Sequence, residues 1–187
     1  KGFEEHITWN NLYEKVCKFS NYLKKLSLKK GDRVAAYVPN KIENIICFLA
    51  CAKNGVIWSS CSPDFGAQGV VDRFKQIEPK VLITSDYYFY NGKKINILDK
   101  VDEVLKQIPS IEKVIVYNYY KKEKENLKNF IDFEETLKIE TDESFERFEF
   151  NHPIYILFSS GTTGKPKCIT HGTGNVLIEH NKEFMLH

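Results

Sequence analysis

The sequence predicts an α/β fold: a mainly parallel sheet with helices on both of its faces. Three observations carry this. Apolar runs of strand length alternate with segments of helical periodicity. The connections between successive strands are too long for hairpins, so they imply right-handed crossovers. The strand runs are also apolar on both faces, as strands covered by helices must be.

Each element can be justified in turn. Ile7 and Thr8 form a lead-in, and Thr8 is a fair N-cap for a helix opening at Trp9. Trp9, Leu12, Tyr13, Val16, Phe19, Leu23 and Leu26 recur at helical spacing. Gly31 and Asp32 turn the chain, and residues 33–38 read as a strand stopped by Pro39. Residues 42–54 read as a helix closed by Gly55. Residues 56–60 are a strand, 66–77 a helix broken by Glu78 and Pro79, and 80–84 a strand. Residues 97–108 are a helix that stops at Pro109, and 113–117 a strand. The stretches 87–94 and 119–127 read as polar, irregular connections. Residues 136–151, acidic with spaced aromatics, are expected to pack as a peripheral segment.

The chain has 187 residues, enough for one domain core. It starts at Lys1, without methionine, and ends at His187 inside a helical pattern, so it reads as incomplete. Net charge is +2, with 27 basic residues against 25 acidic ones. Such a balance argues against a nucleic-acid binder, which needs a basic face. The mixed run at 121–125 reads as a solvated loop. No stretch is long and apolar enough to span a membrane. Cys17, Cys47, Cys51, Cys61 and Cys168 are odd in number and form no C-x-x-C, and no histidine is spaced to complete a zinc site. Small buried thiols are expected, and with them a reducing, cytoplasmic setting.

The most informative stretch runs from residue 154 to residue 171. An apolar strand, residues 154–158, empties into Ser159, Ser160, Gly161, Thr162, Thr163 and Gly164, then Lys165, Pro166 and Lys167. Cys168, Ile169 and Thr170 read as a return strand. Small residues leave backbone N–H groups uncovered, and glycines allow φ > 0, so several N–H groups can face one concavity. Hydroxyls add donors and the lysines add charge. Such a loop suits a polyphosphate, and it follows a strand's carboxyl end, where parallel sheets bind ligands. A Walker loop does not fit. It needs four residues between its glycines, a Ser or Thr after its lysine, and a following helix. Here two residues separate Gly161 from Gly164, Pro166 follows Lys165, and a strand comes next.

Residue by residue, 159–167 resembles the phosphate-binding signature of the adenylate-forming enzymes, a family that includes the acyl-CoA synthetases. Residues 31–40 resemble that family's early strand, and residues 57–66, 72–80, 171–174 and 179–183 are most similar to its acetoacetate-activating members. The resemblance runs from about residue 7 to 187 and is weakest over 87–150. One departure is Cys168, where most relatives carry Gly or Ala.

The resemblance implies that residues 1–187 are part of the large N-terminal AMP-binding domain, with the small C-terminal domain absent. It implies a ligase that activates an acid with ATP and passes the acyl group to coenzyme A. Acetoacetate is the favoured acid; acetate, propionate or another short acid is the alternative. A reading from another class is a nucleotide phosphate-binding module without ligase activity. Within the ligase reading, the backbone of residues 160–164, the hydroxyls of Ser159, Ser160, Thr162 and Thr163, and Lys165 and Lys167 would hold the ATP phosphates. Lys167 is the better fixed cation, because Pro166 stiffens its approach. Arg73 is a candidate contact for coenzyme A, or else a partner in a surface salt bridge. Trp58 is expected in the core, and His171 in a structural or helix-entry role. Glu179 and Glu183, four apart, read as one polar helix face. Mg²⁺, the adenine and the ribose would be held by an aromatic-Gly-x-Thr-Glu segment and an aspartate, and catalysis would use a lysine. None of these occurs in this sequence, so the segment should not complete the reaction alone.

Overall fold

A computed structural model describes residues 4–119, 130–159 and 164–186. Helix α1 (Trp9–Lys25) begins where expected, with Thr8 Oγ1 accepting from the Asn11 amide at 3.3 Å. Strand β1 (Arg33–Tyr37), helix α2 (Ile42–Lys53), strand β2 (Ile57–Cys61), helix α3 (Ala67–Phe74) and strand β3 (Val81–Ser85) follow in the predicted alternation. After them come β4 (Tyr87–Tyr90), β5 (Lys93–Asn96), α4 (Leu98–Gln107), β6 (Lys113–Tyr117), β7 (Ile131–Asp132) and α5 (Phe133–Thr136). The chain closes with β8 (Pro153–Phe158), β9 (Cys168–Gly172) and α6 (Thr173–Leu186).

Seven strands form one sheet in the order β7-β6-β3-β1-β2-β8-β9. Every pairing is parallel except β8 with β9. The alternation of side chains explains why two helical layers are needed. In β1, Val34 and Ala36 face a core built with Phe19 and Leu23 of α1 and Ile46 and Ala50 of α2. Their neighbours Ala35 and Tyr37 face a second core, with Val70 and Phe74 of α3 and Val101 and Val104 of α4. Strands β3 and β6 divide in the same way. The burial falls away toward the β9 side, where Leu157, Ile169, Leu177 and Ile178 are exposed.

One expectation fails. Residues 87–94 are not an irregular connection: β4 and β5 pair antiparallel as a hairpin. Its turn is Asn91-Gly92, both with positive φ (50° and 76°), the geometry that Asn-Gly favours between two strands. The short β7 and α5 were also not anticipated. Of the predicted 119–127 connection, residues 120–127 lie outside the described residues.

The peripheral segment is strapped across α1 and α2. Lys24 Nζ meets Asp142 Oδ2 at 2.8 Å, and Asn21 donates to the Glu140 carbonyl at 2.9 Å. Buried Lys53 donates to the carbonyls of Asp142 (2.8 Å) and Ser144 (2.5 Å). Gly55 takes φ +63°, and the Phe148 ring lies against the space a side chain there would need. Among the described residues no helix is long and apolar enough to cross a membrane.

Candidate functional site

The phosphate-type loop leaves the carboxyl end of β8, a strand held parallel to β2 through Trp58 and Tyr155. The Ser59 hydroxyl donates to the Ile156 carbonyl at 2.8 Å and locks the two strands together. At the loop's neck the Ser159 amide donates to the Lys167 carbonyl at 3.1 Å. Phe158 and Cys168 then pair across the antiparallel ladder. The chain therefore returns as a strand, as the sequence predicted, and among the described residues no helix opens at the loop.

Ser159, Gly164, Lys165 and Lys167 are described; Ser160, Gly161, Thr162 and Thr163 lie outside the described residues. Lys165 and Lys167 are both exposed, and among the described residues no carboxylate pairs with either. Two uncompensated ammonium groups beside small residues are chemically fit for an anion. A Cβ built at Gly164 would meet nothing within 4 Å.

Helix α3 reaches the loop from its far end. The Gln76 side-chain amide, just past α3, donates to the Pro166 carbonyl at 2.9 Å, and its oxygen accepts from the Cys168 thiol at 3.6 Å. Sequence reasoning missed Gln76, because a glutamine at a helix end carries no signal of a partner 90 residues away. Arg73 lies three residues earlier. Its guanidinium stacks over the Phe65 ring at 4.0 Å and donates to the Gly69 carbonyl at 2.7 Å. Among the described residues it forms no salt bridge.

The turn before α3 is fixed from below. The buried Tyr37 hydroxyl lies within hydrogen-bond distance of the Pro63 (3.0 Å) and Phe65 (2.5 Å) carbonyls. Burial pushes its pKa well up, so it stays a neutral donor. A cleft of about 430 Å³ opens beside this turn, at the carboxyl ends of β1 and β2, lined by Asn40, Asn44, Ser62, Asp64 and Tyr88 among others. The loops leaving β1 and β2 lead to helices on opposite faces of the sheet there, the position at which open α/β sheets bind ligands.

Trp58 is buried in the core as expected, though its edge also borders a smaller cleft with Phe48 and Tyr155. His171 lies within β9 and packs on the Tyr155 ring, centroids 4.9 Å apart, which fits a structural role. Glu179 and Glu183 share Lys182 between them, at 2.6 and 3.0 Å. Cys17, Cys47 and Cys51 are buried thiols, as predicted. Cys61 is half-buried, and burial pushes its thiol up to about 12, with Arg73's charge opposing. Cys168 departs from the expectation: it is exposed, because β9 is the edge strand.

The family described as "AMP-binding enzyme" matches residues 2–184. This chain belongs to that family. Acetoacetyl-CoA synthetase from Xenopus tropicalis is 44% identical over 194 residues, covering 98% of this chain and 29% of the relative. The enzyme of the same name from Macaca fascicularis is 42% identical over 198 residues, covering 100% and 30%. Among solved structures, acetoacetyl-CoA synthetase from Streptomyces lividans superposes with a TM-score of 0.90 at 38% identity, covering 96% of this chain and 28% of that one. The chain thus spans about 30% of the length of the relatives it matches. The predicted α/β architecture is that of the corresponding part of the acetoacetyl-CoA synthetase from Streptomyces lividans.

Proposed function

We propose that this chain is part of the N-terminal adenylation domain of an ATP-dependent acid–CoA ligase, with acetoacetate as the acid. The observation that carries this is the agreement of sequence and fold with acetoacetyl-CoA synthetases over nearly the whole chain. In the first half-reaction an acid carboxylate oxygen attacks the α-phosphorus of ATP. The bond to the β-phosphate bridge breaks, leaving acyl-adenylate and pyrophosphate. In the second, the coenzyme A thiol attacks the acyl carbon and AMP leaves. The setting is a reducing, cytoplasmic one, in keeping with five free thiols.

The loop's task is electrostatic. Charge builds on the departing pyrophosphate, and donors fixed beforehand stabilise it without reorganisation. Ser159, Ser160, Gly161, Thr162, Thr163, Gly164, Lys165 and Lys167 are assigned to the β and γ phosphates. Lysine acts as a point charge there, tolerant of a phosphate group in motion. Arg73 is assigned to coenzyme A. Its stack on Phe65 fixes the guanidinium plane at the mouth of the turn, and among the described residues only one of its donors is spent, on Gly69. Magnesium would supply charge neutralisation on the phosphates. The loop carries no carboxylate, and among the described residues no group of three His, Cys, Asp or Glu could hold a metal ion. We therefore assign no magnesium ligand to this chain.

The test is acyl-CoA formation by the complete polypeptide with ATP, coenzyme A and a panel of acetoacetate, acetate and propionate. Acetoacetyl-CoA with AMP release is the expected result. Preference for another acid would correct the substrate. ATP turnover to ADP without acyl-CoA would overturn the ligase in favour of a phosphate-binding module.

A further inference from the structure

Three consecutive residues at the loop's return, 166 to 168, are each tied down, and two of the ties come from one side chain. Gln76 Nε2 donates to the Pro166 carbonyl at 2.9 Å. Gln76 Oε1 accepts from the Cys168 thiol at 3.6 Å. Between them, the Lys167 carbonyl accepts from the Ser159 amide at 3.1 Å. A third contact fixes the glutamine itself: Nε2 donates to the Asp72 carbonyl at 2.6 Å, one helical turn back.

The amide is matched to this job. Pro166 has no N–H, so its backbone can be gripped only at the carbonyl. Gripping it needs a donor, while the Cys168 thiol needs an acceptor, and a side-chain amide supplies both. Glutamate offers no donor and lysine no acceptor.

We infer that Gln76 is a positioning residue for Lys167, clipping the backbone on both sides of it so that its ammonium group is aimed before ATP binds. This rests on the assignment of residues 159–167 to the ATP phosphates. Gln76 lies just past the end of α3, three residues beyond Arg73, so one short helix and the turn that closes it carry both the clip and the candidate coenzyme A contact.

The experiment uses the complete polypeptide and ATP–pyrophosphate exchange driven by acetoacetate. Gln76 is exposed, so its substitution is compatible with folding. Gln76→Glu keeps the shape but turns an oxygen toward two carbonyls. It should slow exchange roughly tenfold to a hundredfold, the scale of a small misplacement of a reacting group. The thermal midpoint should not move. Lys167→Ala should slow exchange on its own, and adding Gln76→Glu to it should cost nothing more. Full exchange in Gln76→Glu beside a slow Lys167→Ala would overturn the clip and leave the phosphate assignment standing. So would losses that multiply in the double variant, which mark a general staple. A silent Lys167→Ala, or no exchange in the parent, would overturn the phosphate assignment and the clip with it.

Discussion

Lys167→Ala should slow adenylate formation by roughly 10²–10³, and Lys165→Ala by less than tenfold. The magnitude can be bracketed from the structure. Two unit charges 4 Å apart attract by about 1 kcal/mol in bulk water and by about 4 kcal/mol at an effective dielectric of 20. Both ammonium groups are exposed. With the loop still open to water, losing one would cost about fivefold in rate; with water excluded around the reacting phosphates, about a thousandfold. The asymmetry follows from the backbone. Lys167 sits one residue before β9, with the Ser159 amide on its own carbonyl and Gln76 on the carbonyl before it. Lys165 stands two residues farther out and precedes the proline. The assay is pyrophosphate exchange with acetoacetate, at two salt concentrations. A fivefold, salt-sensitive loss at Lys167 would mean that the loop acts while solvated. Equal losses, or a larger one at Lys165, would refute the assignment of the two cations.

Three further outcomes can be checked. A neutral alkylating reagent should label Cys168 first and leave Cys17, Cys47 and Cys51 untouched, with Cys61 slow because its pKa is raised to about 12; peptide mass mapping reads the order, and ATP should protect Cys168. Asp142→Asn should flatten the acid limb of stability. The hydrogen bond from Lys24, then those from the Ser144 hydroxyl and amide, hold the Asp142 carboxyl well below the ordinary range. Its contribution is present above the unfolded value near 4 and is lost as pH falls through the lower folded value. The partial exposure of the pair keeps the effect modest. Thermal midpoints from pH 6 to pH 2 that run parallel in parent and variant would refute this. Gly55→Ala should lower the midpoint by about 2–8 °C, from a left-handed φ costing roughly 1–2 kcal/mol and a Cβ placed 2.5 Å from the Phe148 ring; an unchanged midpoint would mean that the strap yields freely.

The parallel half of the fold could be read because its signals are local. Pro39, Gly55 and Pro109 stand at element ends, and β1, β3 and β6 are apolar on both faces. The β4–β5 hairpin was missed although its Asn91-Gly92 turn is a strong local cue. Its flanks, Tyr-Tyr-Phe-Tyr and Lys-Lys-Ile-Asn, lack the alternation that usually accompanies that dipeptide. The strap over α1 and α2 had no local cue at all. It is held by Lys24 and Lys53, about 90 to 120 residues away in sequence. The loop of small residues and lysines was legible as a motif, and so were the strands on either side of it. Gln76 and Tyr37 were not, since their roles rest on carbonyl groups that any residue could present.

The junction of β2 with β8 has a consequence for biosynthesis. The partners Trp58 and Tyr155 are almost a hundred residues apart along the chain. A ribosome adding about 5–20 residues per second makes β8 roughly 5–20 s after β2. During that interval β1, β2, β3 and β6 can pair, while the far side of β2 presents bare amides and carbonyls to any passing strand. The strand that covers this edge is the one that carries the lysine-bearing loop. Protection from aggregation and acquisition of the lysine-bearing loop therefore arrive in the same step. A nascent chain halted before residue 153 should be sticky as well as lacking the loop.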